Sequence, residues 1–489
     1  MTAAPATLPA HAEPALVGEL LGRAAAAVPS GAAVVSGARR TSYAQLAEDA
    51  DLVAAGLAAR GVAPGDAVAL LTPPGPASVL GLLGVLRAGA VAVPMSQASK
   101  PAEIDFCVRD SGAATVIAED GLTVEELRAA GRGAPPAAGP AGPDSAALFA
   151  YSAGATGRPK RVPRTHRQLV AEARMVAAAA ELTPEDTIFC ALPLFHAYGL
   201  GCCLLAALRS GATLLFAGEE RRPFALDRTR VLGLLEHAGV TVFPAVPFHL
   251  RVLADAPAGA DLSGLRLVMS AGNALPRATF EAFSTAFGVA PRQVYGCTEA
   301  GAVTASFDGD PRETAGSVGR PLEGVEVRVV DAAGVPLEAG RHGEVTIRSP
   351  AMTRGYAGAG AEANRSAFPF GAFLTGDRGR LDAAGRLWLT GRRKRLIDIR
   401  GDKVDPVEVE DVLAVHPRVR DVVVVGAQST VEGEELVKAV VVADGPCAAR
   451  ELVRFCRERL ADHKAPRIVE FREEIPRSPL GEVLRKYLV

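Results

Sequence analysis

The segment YSAGATGRPKRVPRTH, at residues 151–166, gathers the groups that proteins use to bind phosphate. Glycines let backbone N–H groups face an anion, hydroxyls donate hydrogen bonds, and a lysine adds positive charge. The candidate phosphate-binding residues are Ser152, Gly154, Thr156, Gly157 and Lys160. The segment is not a Walker A loop, because Arg158 and Pro159 separate the second glycine from the lysine. It predicts a phosphate-binding loop, and the alternative is a glycine-rich turn that carries an exposed lysine.

The composition narrows the classes of function. The chain has 489 residues and a formal net charge of −2, which gives no electrostatic basis for a nucleic-acid or acidic-membrane partner. Its seven cysteines include no CxxC pair, so we expect reduced cytosolic thiols rather than a zinc site or a disulfide framework. Residues 1–15 lack the regions of a secretory signal and predict a disordered lead-in, and no apolar run is long enough to span a bilayer. We therefore expect a soluble, cytoplasmic protein.

Alternating helical and strand patterns surround the loop. Residues 42–61 carry an amphipathic pattern that stops at a glycine and predicts a helix, and DAVALLT at residues 66–72 predicts a buried strand. ATLLFAG, GVTVFPA and LRLVMSAG predict further strands, a rhythm typical of βα units around a parallel sheet. From residue 325, two segments that place DAAG between alternating apolar residues predict antiparallel hairpins. The last segment, from about residue 396, predicts a small α+β unit with short strands and one helix.

Several further segments, taken in chain order, resemble motifs of the adenylate-forming superfamily, which includes acyl-CoA synthetases, aryl-acid ligases, peptide-synthetase adenylation domains and luciferases. After the loop they are LPLFHAYGL at residues 192–200, SAGNAL at 270–275, YGCTEAG at 295–301, the segment from LTGD to VEVE at 374–410, and PRSPLGEVLRKYL at 476–488. The resemblance implies an ATP-dependent, AMP-forming enzyme that joins an acid to the α-phosphate of ATP and expels pyrophosphate.

The patterns and the resemblance together predict an α/β fold in two parts. After residues 1–15 we expect a large N-terminal domain, residues 16–392, built of βα-type subdomains and a small antiparallel β-barrel-like part. The resemblance implies a hinge at residues 393–396, with Lys394 as the hinge residue, and a small mobile α+β domain at residues 397–489. Lys394 could equally be an exposed lysine in a linker.

The resemblance assigns one role to each motif. Thr298 would donate to the α-phosphate, Glu299 would bind Mg²⁺, and Asp377 would accept from the ribose hydroxyls. The remaining nucleotide contacts would come from the loop and from Gly272, Asn273, Ala274, Tyr295 and Arg392. Taken singly, each motif has another explanation: Thr-Glu can cap a helix, a lone TGD or GNA can be a turn, and the RRKR run can be a solvated charge cluster.

The resemblance also implies an acid-binding pocket. Its predicted lining is His196, Tyr198, Val246, Phe248 and Gly296. A lone histidine in an apolar run is more often a satisfied core residue, but the motif favours a gate or pocket wall. FHAYGLG lacks the aspartate that amino-acid-activating domains carry at this stretch, so an α-amino acid is disfavoured and a flat aryl or medium acyl acid is expected.

Three departures from the superfamily pattern stand out. Ala153 and Ala155 replace hydroxyl residues of the loop, and Arg161 replaces a glycine. Glu482 stands where the superfamily has a lysine that holds the carboxylate and the ATP oxygens, so we count it among the candidate catalytic residues. Charges about 4 Å apart interact by about 4 kcal/mol at an effective dielectric near 20, so this exchange turns attraction into repulsion. We expect Glu482 to need a cationic partner, either Arg161 or an amine-bearing substrate.

Three functions remain open at this point. The first is an acid–thiol ligase that uses ATP and Mg²⁺ and transfers the acyl group to CoA or to the phosphopantetheine of a carrier protein. The second is an adenylating enzyme with another acceptor, such as an amide synthetase or a diazotase-like member that activates nitrite for an aryl amine. The third is a catalytically weak nucleotide-binding relative. We favour the acid–thiol ligase, because most members of the superfamily that the sequence resembles have this activity.

Overall fold

The structure is a computed structural model that describes most of the chain. The described residues are 13–140, 142–152, 159–218, 228–255, 259–392, 397–399, 402–404, 406–428, 435–477 and 483–488.

Strands occur throughout these ranges. They are β1 (Ala32–Ser36), β2 (Arg39–Ser42), β3 (Ala67–Leu71), β4 (Val91–Pro94), β5 (Thr115–Ala118), β6 (Ala146–Ser152), β7 (Lys160–Thr165), β8 (Thr187–Phe189), β9 (Thr213–Phe216), β10 (Val242–Ala245), β11 (Leu267–Ser270), β12 (Arg292–Cys297), β13 (Gly301–Ala305), β14 (Arg320–Pro321), β15 (Glu326–Val330), β16 (Gly343–Arg348), β17 (Phe373–Leu381), β18 (Leu387–Arg392), β19 (Ile397–Ile399), β20 (Asp402–Val404), β21 (Val419–Gln428), β22 (Glu435–Ala443) and β23 (Ile468–Phe471).

Helices connect most of these strands. They are α1 (Val17–Ala27), α2 (Tyr43–Ala59), α3 (Pro76–Arg87), α4 (Pro101–Ser111), α5 (Val124–Gly131), α6 (His166–Ala179), α7 (Ala197–Gly199), α8 (Ala206–Ser210), α9 (Arg228–His237), α10 (Pro247–Ala254), α11 (Arg277–Phe287), α12 (Ala361–Ala367), α13 (Pro406–Ala414) and α14 (Ala449–Arg457). A π-helix spans Leu200–Leu205, and 3-10 helices span Pro369–Gly371, Asp462–Lys464 and Arg485–Tyr487. No helix among the described residues is both long and apolar enough to cross a bilayer.

Two mixed sheets form the centre of the large domain. Within the described residues one has the strand order β5-β3-β4-β6-β7 and the other has β14-β13-β12-β11-β10-β8-β9-β1-β2. Their inner strands are parallel, as the βα rhythm predicts, because a connecting helix returns the chain to the same sheet end. Helices α1, α2, α3 and α6 share one apolar core with both sheets, and α9, α10 and α11 cover a second apolar cluster on the nine-stranded sheet.

The sequence beyond residue 325 forms the predicted antiparallel hairpins. Strands β15 and β16 pair antiparallel, and β17 and β18 pair antiparallel around the second DAAG turn, giving the order β15-β16-β17-β18. The α/β fold with a small antiparallel part is therefore confirmed.

The small domain contains one more helix than the sequence pattern predicts. Its sheet has the order β21-β22-β23, and both α13 and α14 pack on it around Val409, Leu413 and Leu452. The prediction of a single helix was wrong because α13 is a nine-residue helix with only a few buried positions, which give a weak helical period. The small domain contacts the large one through Arg251, whose Nη1 lies 3.4 Å from Asp421 Oδ1.

Candidate active site

Four motifs follow the carboxyl ends of neighbouring strands in the nine-stranded sheet. Strands β8, β10, β11 and β12 are parallel neighbours, and the residues that come after them are His196, Val246, Gly272 and Thr298. Carboxyl ends of parallel strands meet at one edge of a sheet, where ligands of open α/β folds bind. The topology therefore gathers at one edge residues that lie more than a hundred positions apart in the chain.

The predicted phosphate-binding loop connects the two strands of a hairpin. Strands β6 and β7 pair antiparallel, and Ser152 lies directly opposite Lys160. The loop therefore leaves and re-enters the sheet at one point, which brings the hydroxyl and the ammonium ends of the motif together. Gly154, Thr156 and Gly157 lie outside the described residues.

Lys160 reaches the predicted metal-binding glutamate through a tyrosine. Its Nζ lies 4.4 Å from the centroid of the Tyr356 ring, and the Tyr356 hydroxyl donates to Glu299 Oε1 at 2.8 Å. Burial, together with the charge of Glu299, raises the pKa of Tyr356 far above its usual value, so the phenol remains a donor. The structure thus joins the loop lysine, a tyrosine and a buried carboxylate in one cluster.

Thr298 and Glu299 lie in the turn that joins two antiparallel strands. The turn connects β12 to β13, so the helix-capping explanation of Thr-Glu does not apply. The Glu299 carbonyl accepts a hydrogen bond from Thr353 N at 2.8 Å, and the Thr353 hydroxyl donates to Pro163 O at 2.7 Å. The turn is therefore tied to β7, the strand that begins with Lys160.

A second polar pair lies at the predicted ribose position. The Tyr295 hydroxyl donates to Asp377 Oδ2 at 2.6 Å, and both side chains are buried. Burial and the charge of Asp377 raise the pKa of Tyr295 well above its usual value, so this hydroxyl also stays a donor. Asp377 lies in strand β17, not in an isolated turn, and the ladder places the backbone of Arg392 directly opposite it. The Arg392 side chain is not described.

The predicted adenine-binding turn is exposed, and a hydrogen bond from the residue after it connects it to strand β12. Gly272, Asn273 and Ala274 are exposed, and Gly272 has φ +85°, a conformation that favours glycine. The next residue, Leu275, donates its N–H to Gln293 Oε1 at 3.2 Å. Gln293 lies in β12, two residues before Tyr295, so one strand positions both the adenine turn and the ribose pair.

The predicted acid pocket gathers around helix α7. His196 caps this helix, and its Nδ1 accepts a hydrogen bond from Tyr198 N at 3.3 Å. Helix α7 packs against β12 and β13 and continues into the π-helix Leu200–Leu205, a distortion that often marks functional sites. His196 is half-buried, so it is not a core histidine, whereas Tyr198 is buried.

The other predicted lining residues differ in exposure. Val246 is buried beneath Gly272, and Phe248 is half-buried with Arg251 over its ring. Gly296 is exposed, and a side chain there would clash with the carbonyl of Gly301, which keeps this wall open.

Arg161 is committed to a partner that the sequence did not suggest. Its Nε lies 3.4 Å from Asp110 Oδ2 on helix α4, and Tyr151 donates to the same oxygen at 2.8 Å. Its guanidinium also lies 5.0 Å from the centroid of the Phe149 ring. The structure therefore pairs Arg161 with Asp110. Glu482 itself lies outside the described residues, as does the hinge residue Lys394.

Motif reading also missed Tyr356, Gln293 and a buried pair of Arg164 and Glu172. Arg164 Nη2 lies 2.9 Å from Glu172 Oε2, directly behind the Thr298–Glu299 turn. The only sequence signal for the pair is that Glu172 lies among apolar residues of the segment that forms helix α6.

Comparisons with known proteins agree with this arrangement. The sequence model of the family described as AMP-binding enzyme matches residues 21–357, and that of the AMP-binding enzyme C-terminal domain matches residues 408–482. The feruloyl-CoA synthase of Amycolatopsis sp is 34% identical, over 94% of this chain and 95% of its own length. The oxalate–CoA ligase of Arabidopsis thaliana is 31% identical, over 92% and 93%.

A solved structure shows the same fold. ATP-bound MatB from Rhodopseudomonas palustris superposes with a TM-score of 0.86 at 29% identity, covering 96% of this chain and 98% of that one. The chain therefore belongs to the adenylate-forming AMP-binding enzymes and is an ATP-dependent, AMP-forming ligase.

Proposed function

We propose that this ligase adenylates a small carboxylic acid and transfers the acyl group to the thiol of CoA. The observation that carries the proposal is the presence of two polar clusters on strand β12 and the turn that follows it, one around Tyr295 and one around Glu299. Lys160, Tyr356 and Glu299 form the phosphate side, and Tyr295 and Asp377 form the ribose side. Thr298 lies between Tyr295 and Glu299 in the chain, so a nucleotide that spans the two clusters would present its α-phosphate near Thr298.

In the first half-reaction an oxygen of the acid attacks the α-phosphorus, and pyrophosphate leaves. Phosphoryl chemistry of this kind depends on positioning and on stabilising negative charge. Lys160 would neutralise charge on the leaving pyrophosphate, and Thr298 would donate to the α-phosphate oxygens. Asp377, held by Tyr295, would accept from the ribose hydroxyls and fix the nucleotide along the site.

The residues present fit a magnesium ion. Mg²⁺ usually binds through one or two carboxylates plus substrate phosphates. Glu299 supplies one buried carboxylate, which is oriented by the hydrogen bond that it accepts from the Tyr356 hydroxyl. Among the described residues no group of three metal-ligating side chains occurs, so an all-protein cage is not offered there. A magnesium ion held by Glu299 and ATP would lower the negative charge that the acid must approach.

In the second half-reaction the thiol attacks the acyl-AMP carbonyl and AMP leaves. We propose that the small domain, residues 397–489, changes orientation about residues 393–396 between the two steps. Its separate apolar core supports movement as one body. The phosphopantetheine of a carrier protein is chemically the same thiol.

The acid is expected to be aryl or medium acyl. The segment around His196 carries no aspartate for an α-ammonium group, and Val246 and Phe248 give an apolar lining. The printed names of the relatives, feruloyl-CoA synthase and oxalate–CoA ligase, describe enzymes of carboxylic acids.

The test is pyrophosphate release measured against a panel of aryl acids, fatty acids and nitrite, with and without CoA or amines. We expect release that depends on one class of acid, and a thioester when CoA is added. Release without a thioester, together with an amide, would instead establish the amine-acceptor alternative that Glu482 motivates. ATP binding with no release for any acid would contradict both.

A further inference from the structure

A fully buried ion pair lies between the phosphate-loop strand and the helix that follows it. Arg164 in β7 and Glu172 in α6 are joined by Nη2 and Oε2 at 2.9 Å, and their side chains are 2% and 3% exposed. Arg164 lies within the loop segment of residues 151–166, but neither residue is assigned a contact with substrate in the proposed function. Nevertheless the pair touches two elements to which such contacts are assigned.

Glu172 is wedged against backbone on two sides. Its Oε1 accepts a hydrogen bond from Ala302 N at 3.2 Å, immediately after the catalytic turn. A side chain at Gly201 in the π-helix, or at Gly301, would clash with its carboxylate, and Gly301 has φ +67°. The acid-pocket helix and the end of the turn therefore meet on this one carboxylate.

Arg164 holds the beginning of the same turn. Its Nη1 donates to the carbonyl of Thr298 at 3.4 Å, while its Nη2 serves Glu172. Since Arg164 lies in the strand that begins with Lys160, the guanidinium links the loop strand directly to the turn that carries Thr298 and Glu299.

Stability gives a weak reason for such a pair. Desolvating two charges is costly, and apolar residues of similar volume often replace a buried ion pair without loss of stability. Arg164 Nε also has no hydrogen-bond partner within the described part of the chain, so the guanidinium is not fully compensated. The pair instead fixes the position of the turn, because Arg164 contacts its beginning and Glu172 contacts the residues at its end.

We propose that Arg164 and Glu172 are positioning residues that hold the Thr298–Glu299 turn in register with Lys160 for the phosphates of ATP. The proposal rests on the proposed function for the meaning of that turn. It differs from a structural role in one measurable respect. Ligands that need the turn, such as Mg²⁺ with the ATP phosphates, depend on the pair, whereas adenosine, which has no phosphate for Thr298, binds through the adenine turn and Asp377 and does not.

The experiment compares three variants of the full chain. One is the double variant Arg164→Met/Glu172→Leu, which replaces the pair by apolar groups. The second is Glu172→Gln, which keeps an acceptor for Ala302 N and removes the charge. The control is Asp186→Asn, which breaks another pair, to Arg266 Nη2 at 2.8 Å, in the same domain. Thermal unfolding, titration calorimetry with adenosine and with Mg²⁺ plus α,β-methylene-ATP, and the kcat and KM of ATP–pyrophosphate exchange are measured for each.

We expect the double variant to keep its adenosine affinity within about twofold while its affinity for the magnesium–nucleotide analogue and its kcat fall about 10²-fold, a loss that a displacement of about 1 Å can cause. Glu172→Gln should lower the affinity for the analogue and the kcat about tenfold and keep the affinity for adenosine. This single variant tests the proposal if the double variant does not fold. Asp186→Asn should lower the unfolding temperature without changing the ratio of the two affinities.

Parallel loss of both affinities in Glu172→Gln, or unchanged analogue affinity and kcat in either pair variant, would overturn the proposal. Failure of the proposed function would appear separately, because the wild-type protein would then give no pyrophosphate exchange with any acid. The ratio of the two affinities could still be compared between the wild type and the variants.

Discussion

Replacing Tyr356 with phenylalanine isolates one hydrogen bond to the predicted metal ligand. The hydroxyl donates to Glu299 Oε1 at 2.8 Å, and the ring lies 4.4 Å from Lys160 Nζ. Tyr356→Phe removes the first contact and keeps the second. The backbone of Glu299 remains tied through Thr353, so the turn is not released.

The magnitude follows from the charge of the acceptor. A hydrogen bond to a charged group contributes about 1.5–3 kcal/mol, and each 1.4 kcal/mol is tenfold. Outer-shell partners of metal ligands typically cost about 10–100-fold in metal affinity or activity when they are removed. We therefore expect the Mg²⁺ concentration for half-maximal ATP–pyrophosphate exchange to rise about 10–100-fold in Tyr356→Phe, while the KM of the acid changes less than about threefold.

The chain offers a matched control for the same chemical change. Tyr43 is also buried, and its hydroxyl donates to Ala207 O at 2.9 Å and to Ala212 O at 2.6 Å, with no contact to Glu299 or Lys160 among these bonds. Tyr43→Phe should lower the free energy of unfolding by about 1–3 kcal/mol and leave the Mg²⁺ requirement unchanged. If Tyr356→Phe behaves like Tyr43→Phe, the hydroxyl only stabilises the fold and Glu299 loses its assignment as the ligand. Tyr356→Leu should be worse than Tyr356→Phe, because it also removes the contact with Lys160, an interaction of about 0.5–2 kcal/mol.

The remaining predictions concern the ribose contact, acid stability, the hinge and the unusual glutamate. Asp377→Ala should weaken binding of both ATP and AMP at least about tenfold in calorimetry, because both share the ribose; unchanged AMP affinity would remove Asp377 from this role. Burial, opposed by the charge of Glu19, lowers the pKa of His166 to about 4, so the unfolded chain binds a proton that the fold excludes between about pH 6.5 and 4. The free energy of unfolding should fall as the pH falls through this window, and His166→Asn should reduce that fall by up to about 3 kcal/mol in urea titrations at pH 4.5 and 7.5. Lys394→Pro, which restricts φ at the hinge, should slow thioester formation more than pyrophosphate release, and equal loss of both would indicate a damaged linker. Glu482→Lys should cut turnover about 10²-fold or more if the glutamate acts as base or ion partner, whereas a rise in turnover would mark it as a lesion.

The sequence predicted those parts of the fold whose signal is local. Helix α2 begins after Ser42, whose side chain accepts from Gln45 N, and the DAAG turn between β17 and β18 closes through Asp382, as a turn aspartate should. The antiparallel pairing of β6 with β7 was not foreseen, because the residues of the loop gave a functional signal and no pairing signal.

The candidate site divides in the same way between local and distant information. Lys160, Glu299 and Asp377 could be assigned because each lies in a short motif. Their partners could not, since Tyr356 acts on Glu299 from 57 residues away and Tyr295 acts on Asp377 from 82 residues away. Contacts between residues so far apart in the chain depend on the order of the strands in the sheets. That order is determined by the packing of the whole core and cannot be predicted from a short motif.

Three arginines, Arg161 and the two that flank Glu482 in the sequence, each have a carboxylate partner. Arg161 is held by Asp110, Arg477 Nη2 lies 2.8 Å from Asp421 Oδ2, and Arg485 Nη2 lies 2.9 Å from Glu410 Oε1. An ionised carboxylate beside phosphates needs a cation or a proton. The ion pair with Asp110 disfavours Arg161 as that cation, so of the two partners considered we favour an amine-bearing substrate.

The Glu482→Lys reversion, measured with and without CoA or amines, therefore tests both the partner of Glu482 and the identity of the acceptor. If the partner is an amine, the reversion should damage turnover with the amine present and spare pyrophosphate release from the acid alone. If the acceptor is a thiol, the lysine should restore the superfamily's attraction for the carboxylate, and adenylation should become faster in the reverted enzyme.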